Sequence, residues 1–343
     1  MQEVDSGEDS VMTPRQRVIA ISVPAGAAAL ALAVWLIVAL TGSSAPAPPS
    51  ASPRSSALLS PFTGEPVPAL GPVLAVKIDN IKQARPPTGL RSADIVYALP
   101  VEGGLSRLMA VFSSRFPPVI GPVRSAREDD LELLAQFGRP AFAYSGAAPH
   151  LLPFIHRARI VDLYAGTANG YFRDPRRVAP HNLYARSAAL LAQAGGASKA
   201  SDIGFRFGPL PAGGRAAPSF SVSYPAASFT FRWSAAAGRW LVWMDGAPAL
   251  ATEGGQLGGA TVIIQYTVIK TSRFLEYGSR PPYAVSVGSG SAVVLRNGQA
   301  FDVRWSRPSA DGGTTYTLPS GQPMTFAPGQ VWVILAAAPK PAR

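Results

Sequence analysis

The sequence predicts a layered α/β domain followed by a mainly β domain, with one transmembrane helix ahead of both. Three observations predict that order: an uncharged apolar run near the start, strand-length apolar segments alternating with helical patterns to about residue 195, and closely spaced short strand patterns from residue 219 onward.

The apolar run is Val18 to Leu40, VIAISVPAGAAALALAVWLIVAL, without a charged residue. At about 1.5 Å of helical rise per residue it is long enough to cross a hydrocarbon layer of about 30 Å. Pro24 and Gly26 lie in its first third; they would weaken a helix in water, but lipid offers the backbone no competing partner. Arg15 and Arg17 precede the run, and the next basic residue after it is Arg54. The positive-inside bias then makes residues 1–17 a cytoplasmic tail of a single-pass protein in the cell membrane and places everything beyond residue 40 outside the cytoplasm. A cleaved signal peptide is the competing reading, although signal cores span only about 7–15 residues. Residues 41–60, TGSSAPAPPSASPRSSALLS, are too rich in Ser, Pro and Ala to bury a core and read as a disordered linker.

The chain carries 31 Lys and Arg against 20 Asp and Glu, and no cysteine. Two of the basic and four of the acidic residues precede the span, which leaves −2 before it and +13 after it. Such a balance suits lipid headgroups or phosphate-bearing polymers, although a genome-wide bias toward Arg, Ala, Gly and Pro accounts for it equally well. Lack of cysteine excludes a lipidated-cysteine anchor, disulfides, a thiol nucleophile and Cys-ligated metals.

Within the α/β domain, residues 61–195, strands are expected at Val73 to Ile78, Asp94 to Val101, Arg107 to Ser113, Ala141 to Tyr144 and Ile160 to Leu163. Helices are expected at Arg127 to Phe137, Pro149 to Arg157 and Ala185 to Ala194. Residues 196–218 are rich in Gly, Pro, Ala and Ser and read as a linker or excursion. The β-rich domain, residues 219–337, shows short strand patterns up to Gln330 to Leu335, and Arg296-Asn297-Gly298-Gln299 between two of them signals a type I′ hairpin. Residues 338–343 are a tail. Trp233, Trp240, Trp243, Trp305 and Trp332 fall at strand spacing and read as sheet packing rather than a base-stacking platform, so nucleic acid is not an expected partner.

Polar residues gather at the junctions between expected elements, in Lys77-Ile78-Asp79-Asn80, Val101-Glu102-Gly103-Gly104-Leu105-Ser106-Arg107, Gly121-Pro122-Val123-Arg124-Ser125-Ala126-Arg127, Phe172-Arg173-Asp174 and Ala179-Pro180-His181-Asn182-Leu183-Tyr184. In α/β folds these strand ends are where loops carry function. The order and spacing of EGG-x-x-R, GPVRSAR and APHNLY resemble the signature of the YerB-like family of bacterial envelope lipoproteins, a two-part family of unknown biochemical function. TVIIQY (Thr261 to Tyr266), VGSG, LRNGQ and APGQVWV resemble that of its second part. The resemblance implies an extracytoplasmic, YerB-like α/β domain followed by a YerB-like β-rich domain. Three departures stand out: the transmembrane run takes the place of the family's lipid-modified cysteine, the often acidic position after Tyr97 is Ala98, and the Arg and His usual before the TVIIQY-like strand are not apparent. The last of these argues against a site in the second half.

Arg107, Arg124, Arg127 and Arg173, if convergent, form a site of planar forks suited to phosphate or carboxylate, with Asp174 and Asn182 beside them. Alternatively each arginine pairs with Glu102, Asp79, Asp94 or Asp174 or caps a carbonyl. His181, Glu102 and Asp79 are the candidate acid–base residues, although a histidine in Pro-His-Asn more often fixes a loop. Ser125 and Ser145 lie outside any G-x-S-x-G elbow. His150 and His156 are six positions apart, and no H-x-x-x-H or H-E-x-x-H occurs, so neither a metal nor another cofactor is expected. Two functions remain open: a binding protein whose arginine cleft holds an anionic wall polymer or an acidic segment of an envelope protein, and a wall-directed hydrolase or transferase using Glu102 or His181 as acid or base.

Overall fold

Residues 57–338, apart from Tyr277, are described by the computed structural model. The apolar run at 18–40 lies outside the described residues, as do the tail before it, most of the linker and residues 339–343. Among the described residues no helix is long and apolar enough to cross a membrane.

One large sheet organises the chain. Its strands are β1 (Leu74–Asp79), β2 (Ile95–Pro100), β3 (Ser106–Phe112), β4 (Ala141–Tyr144), β5 (Val161–Tyr164), β6 (Thr261–Thr267), β7 (Gly288–Arg296), β8 (Gln299–Arg307), β9 (Thr315–Thr317) and β10 (Val331–Ala337), in the spatial order β9-β8-β7-β6-β10-β2-β3-β1-β4-β5. The short strand Arg215–Ala216 adds to β8 as the eleventh. β1, β2 and β3 are buried at every position because both faces of the sheet are covered, so apolar residues fill them except at Lys77 and Asp79 of β1 and at Ser106 and Arg107 of β3.

Alternation divides the strands between two cores. Leu74, Val76, Ile78, Trp332 and Ile334 face a five-stranded antiparallel sheet that supplies Phe229, Phe231, Trp240 and Val242, and the Phe231 and Trp332 rings meet edge-on at 6.3 Å. Ala75, Val111, Val331 and Val333 face the opposite way, toward Leu133, Leu134, Ile155, Ile203, Phe205 and Phe326. Helices α1 (Glu128–Leu134) and α2 (Leu152–Arg157) therefore cover the second face. The Gly- and Pro-rich stretch 196–218 runs along that face too, with Ile203 and Phe205 buried in it.

β10, the last strand, lies parallel to both of its neighbours, pairing Val331 with Thr261 of β6 and with Ile95 of β2. Strands of the two halves thus share one hydrogen-bonded sheet. The β7–β8 turn has Asn297 and Gly298 at φ 50° and 73°, the paired left-handed conformations of a type I′ turn, between the partners Arg296 and Gln299. One expected helix starts late: α3 spans Ser187–Gln193, because Ala185 and Arg186 pair instead with Val119 and Ile120 in a small three-stranded sheet. That sheet also contains Tyr171–Arg173.

Candidate functional site

The charged residues collect where the parallel strands β1 and β4 end, the edge at which open α/β sheets place their sites. Val123 to Ala126 lie across those ends. Arg124 N donates to Lys77 O at 2.8 Å, Ser145 N to Arg124 O at 3.0 Å and Ala126 N to Gly146 O at 2.8 Å. This places Arg124 and Ser125 on one wall of a cleft of about 260 Å³, with Ser145 to Ala147, Arg173, Pro180 and Glu276 on the others.

Each carboxylate around the cleft is committed differently. One oxygen of Asp79 accepts from His181 Nδ1 at 2.7 Å and lies 3.1 Å from Arg124 Nε, an ion pair without hydrogen-bond geometry. Because a carboxylate only accepts, Nδ1 carries the proton of that bond. Glu102 accepts both Nε and Nη2 of Arg127, at 2.6 and 3.0 Å. Burial pushes its carboxyl up, but the Arg127 bonds outweigh burial and hold it below the ordinary carboxylate range. Glu276 reaches Arg127 only at 3.4 Å, and for it burial wins: its carboxyl is raised, against the pull of Arg127. Its Oε2 is buried without a partner.

Arg107, opposite Asp79 in the β1–β3 register, is 8% exposed. Among the described residues it makes no ion pair, its Nε has no partner, and one Nη donates to Ser125 O at 3.4 Å. Burial first, then repulsion from Arg127, lowers its guanidinium to about 10. Arg173, on the far wall, donates to Asn182 Oδ1 at 2.7 Å, and Asn182 Nδ2 ties the loop through the carbonyls of Asp174 and Arg177.

The structure therefore brings together Arg107, Arg124, Arg127, Arg173, Glu102, Asp79 and His181. Asp174 does not join them. It pairs with exposed Arg176 at 3.0 Å beside a larger open cavity of about 730 Å³, lined by Thr88, Phe172 and Tyr184, which contains none of the four clustered arginines. Asn182 positions the loop and Arg173 rather than capping a helix. Asp94 accepts the Ser113 and Ser114 N–H groups, well away from the arginines.

The missing Arg and His argued against a site in the second half, yet Glu276 from that half lines this cleft, on the loop between the paired strands Ile269–Thr271 and Pro282–Ala284. Ala98 packs in the first-face core, and the second carboxylate beside Arg127 comes from that loop. The buried pair that anchors Arg127 was not apparent from the sequence either. Lys77 Nζ meets Asp130 Oδ1 at 2.5 Å with both side chains fully buried, and Asp130 Oδ2 accepts Arg127 N at 2.7 Å. A capping-box signal was available there, an acid three residues into a helix beginning after Arg127.

Asp129 beside it is 1% exposed, and its Oδ2 accepts Ala284 N at 3.2 Å. Burial, then Asp130, pushes it up to about 7. A carboxyl raised in the fold stabilises fully below its ordinary value of 3.8 and loses that contribution as pH rises to about 7. Asp129→Asn keeps an acceptor for Ala284 N–H, so the variant should match the parent near pH 3.5 and become the more stable of the two as pH rises to 8, by up to about 4 kcal/mol. Urea unfolding at the two pH values checks this.

Comparison with known proteins agrees with the motif resemblance. The N-terminal domain of a protein of unknown function (DUF3048) matches residues 62–201, and the C-terminal domain of the same family matches residues 220–333. "Putative lipoprotein YerB" of Bacillus subtilis (strain 168) is 42% identical over 76 residues, a match spanning 22% of this chain and only 23% of that relative. The crystal structure of YerB protein from Bacillus subtilis superposes with a TM-score of 0.69 at 22% identity, over 81% of this chain and 96% of that one, a likeness of fold. The chain belongs to the DUF3048 family, the two-part YerB-like family of unknown function to which its EGG-x-x-R, GPVRSAR and APHNLY segments point.

Proposed function

We propose that the protein is a membrane-associated, extracytoplasmic component of the bacterial cell envelope, and that its arginine cleft holds a small anionic group, phosphate or carboxylate, belonging to a wall polymer or an envelope protein. The name of its Bacillus relative, a lipoprotein, supports the location, as does the apolar run ahead of the linker. One observation carries the binding reading. Arg107 is buried beside Arg124 and Arg127 with no ion-pair partner among the described residues, so a desolvated positive charge lies next to Arg124, which lines the open cleft together with Arg173. Glu102 and Asp79 are both occupied by arginines, which suits an electrostatic clamp better than proton transfer.

Calorimetric titration of inorganic phosphate into the full chain in nonionic detergent tests the reading. Saturable binding is expected, and Arg124→Met should weaken it by about tenfold or more, the loss of one charge-assisted bond. Absence of saturable binding by phosphate and acetate alike, or equal binding by the variant, overturns it.

A further inference from the structure

We infer that the ligand of this cleft is a zwitterion, an anionic group joined to a primary ammonium group, and that Glu276 receives the ammonium. The inference rests on the anion reading above and names the ligand class for the same site.

A site built for an anion alone has little use for a carboxylate in its wall that keeps one oxygen without a hydrogen bond. Glu276 lines the cleft, is 4% exposed as a residue, and its Oε2 has no hydrogen-bond partner. Arg127 does not neutralise it, because both donors on that edge of the guanidinium are taken at 2.6 and 3.0 Å by Glu102, leaving Glu276 the longer contact of 3.4 Å. A buried acceptor left open is costly, and a second negative charge would repel a simple anion.

The loop holds Glu276 in place. Its backbone closes a tight turn with Ser279, N to O at 2.7 Å and O to N at 3.0 Å. The same loop is anchored on α1, where Glu128 accepts Ser272 Oγ at 2.7 Å and Arg273 N at 2.9 Å. The Glu276 side chain is thus a placed feature of the cleft wall, with its unpartnered oxygen buried behind the surface.

Arg124 and Arg173 on two walls and Glu276 on another complement a dipolar ligand. Its anionic end meets the guanidinium forks and its ammonium meets Oε2, which offers a charged donor the strongest single bond available there. A volume of about 260 Å³ suits a head group the size of an amino acid or aminoalkyl phosphate. The raised carboxyl of Glu276 agrees with this, since burial opposes its charge until a cation arrives.

A matched series tests it on the full chain in detergent: ethyl phosphate, 2-hydroxyethyl phosphate and 2-aminoethyl phosphate, which differ only in the terminal group. The aminoethyl compound should bind about tenfold or more tighter than the ethyl compound, the value of a hydrogen bond to a charged group. Glu276→Gln should remove that advantage while ethyl phosphate binds at least as tightly as to the parent, the repelling charge being gone, which also shows that the variant is folded. Equal affinities of the amino and ethyl compounds for the parent protein overturn the inference without needing any variant. So does a hydroxyethyl compound that binds as well as the amino one, or an advantage that persists in Glu276→Gln. Failure of all three phosphates and of acetate to bind brings down the anion reading itself and the inference with it.

Discussion

Replacing Lys77 with methionine lowers the free energy of unfolding by about 3–5 kcal/mol, the cost of leaving one partner of a buried ion pair alone. Lys77 and Asp130 are both fully buried and 2.5 Å apart. Asp130 also fastens the start of α1 through Arg127 N, so its stranded charge would sit beside the arginine that pairs with Glu102 and Glu276. Adding Asp130→Asn to Lys77→Met removes that charge and keeps the acceptor for Arg127 N–H, so the double variant should recover much of the loss. Urea unfolding of the two variants measures both effects, and a double variant as unstable as the single one would assign the loss to packing instead.

Trp332→Ala should cost a similar amount, about 3–5 kcal/mol, from lost burial and the cavity left behind. The indole is fully buried between the two sheets, and the space it occupies is tight: a Cβ on Gly259 would come within 2.8 Å of it. Trp332 lies on β10, between a strand of the first half and one of the second. Both halves should therefore lose stability together, in a single unfolding transition followed by tryptophan fluorescence and circular dichroism. Two separated transitions, with only the later half shifted, would contradict the shared-sheet account.

The individual strands were legible in the sequence because burial on both faces makes β1 to β4 mostly apolar, with polar residues chiefly at their ends, and the Asn297-Gly298 turn was legible because few residues tolerate its backbone. The sheet order was not, since nothing local tells Val331 that its neighbours are Ile95 and Thr261. The site divides along the same line. Arg107, Arg124 and Arg127 were visible as charges at strand ends, where solvent-facing loops were expected. Glu276 was invisible because its partner Arg127 belongs to the other half of the chain. Asp174 went astray because neighbouring Arg176 satisfies it locally. Asp79 and His181, far apart in sequence, meet only because the loop carrying His181 folds back onto the end of β1.

The most direct test of the central claim is a crystal structure of the protein soaked in selenate, an anomalous scatterer with the shape and charge of sulfate. The account predicts one ordered ion in the cleft of about 260 Å³, within hydrogen-bond distance of the Arg124 and Arg173 guanidinium groups and displaced by 2-aminoethyl phosphate. Selenate bound only at other surface arginines, with the cleft unchanged, would contradict it.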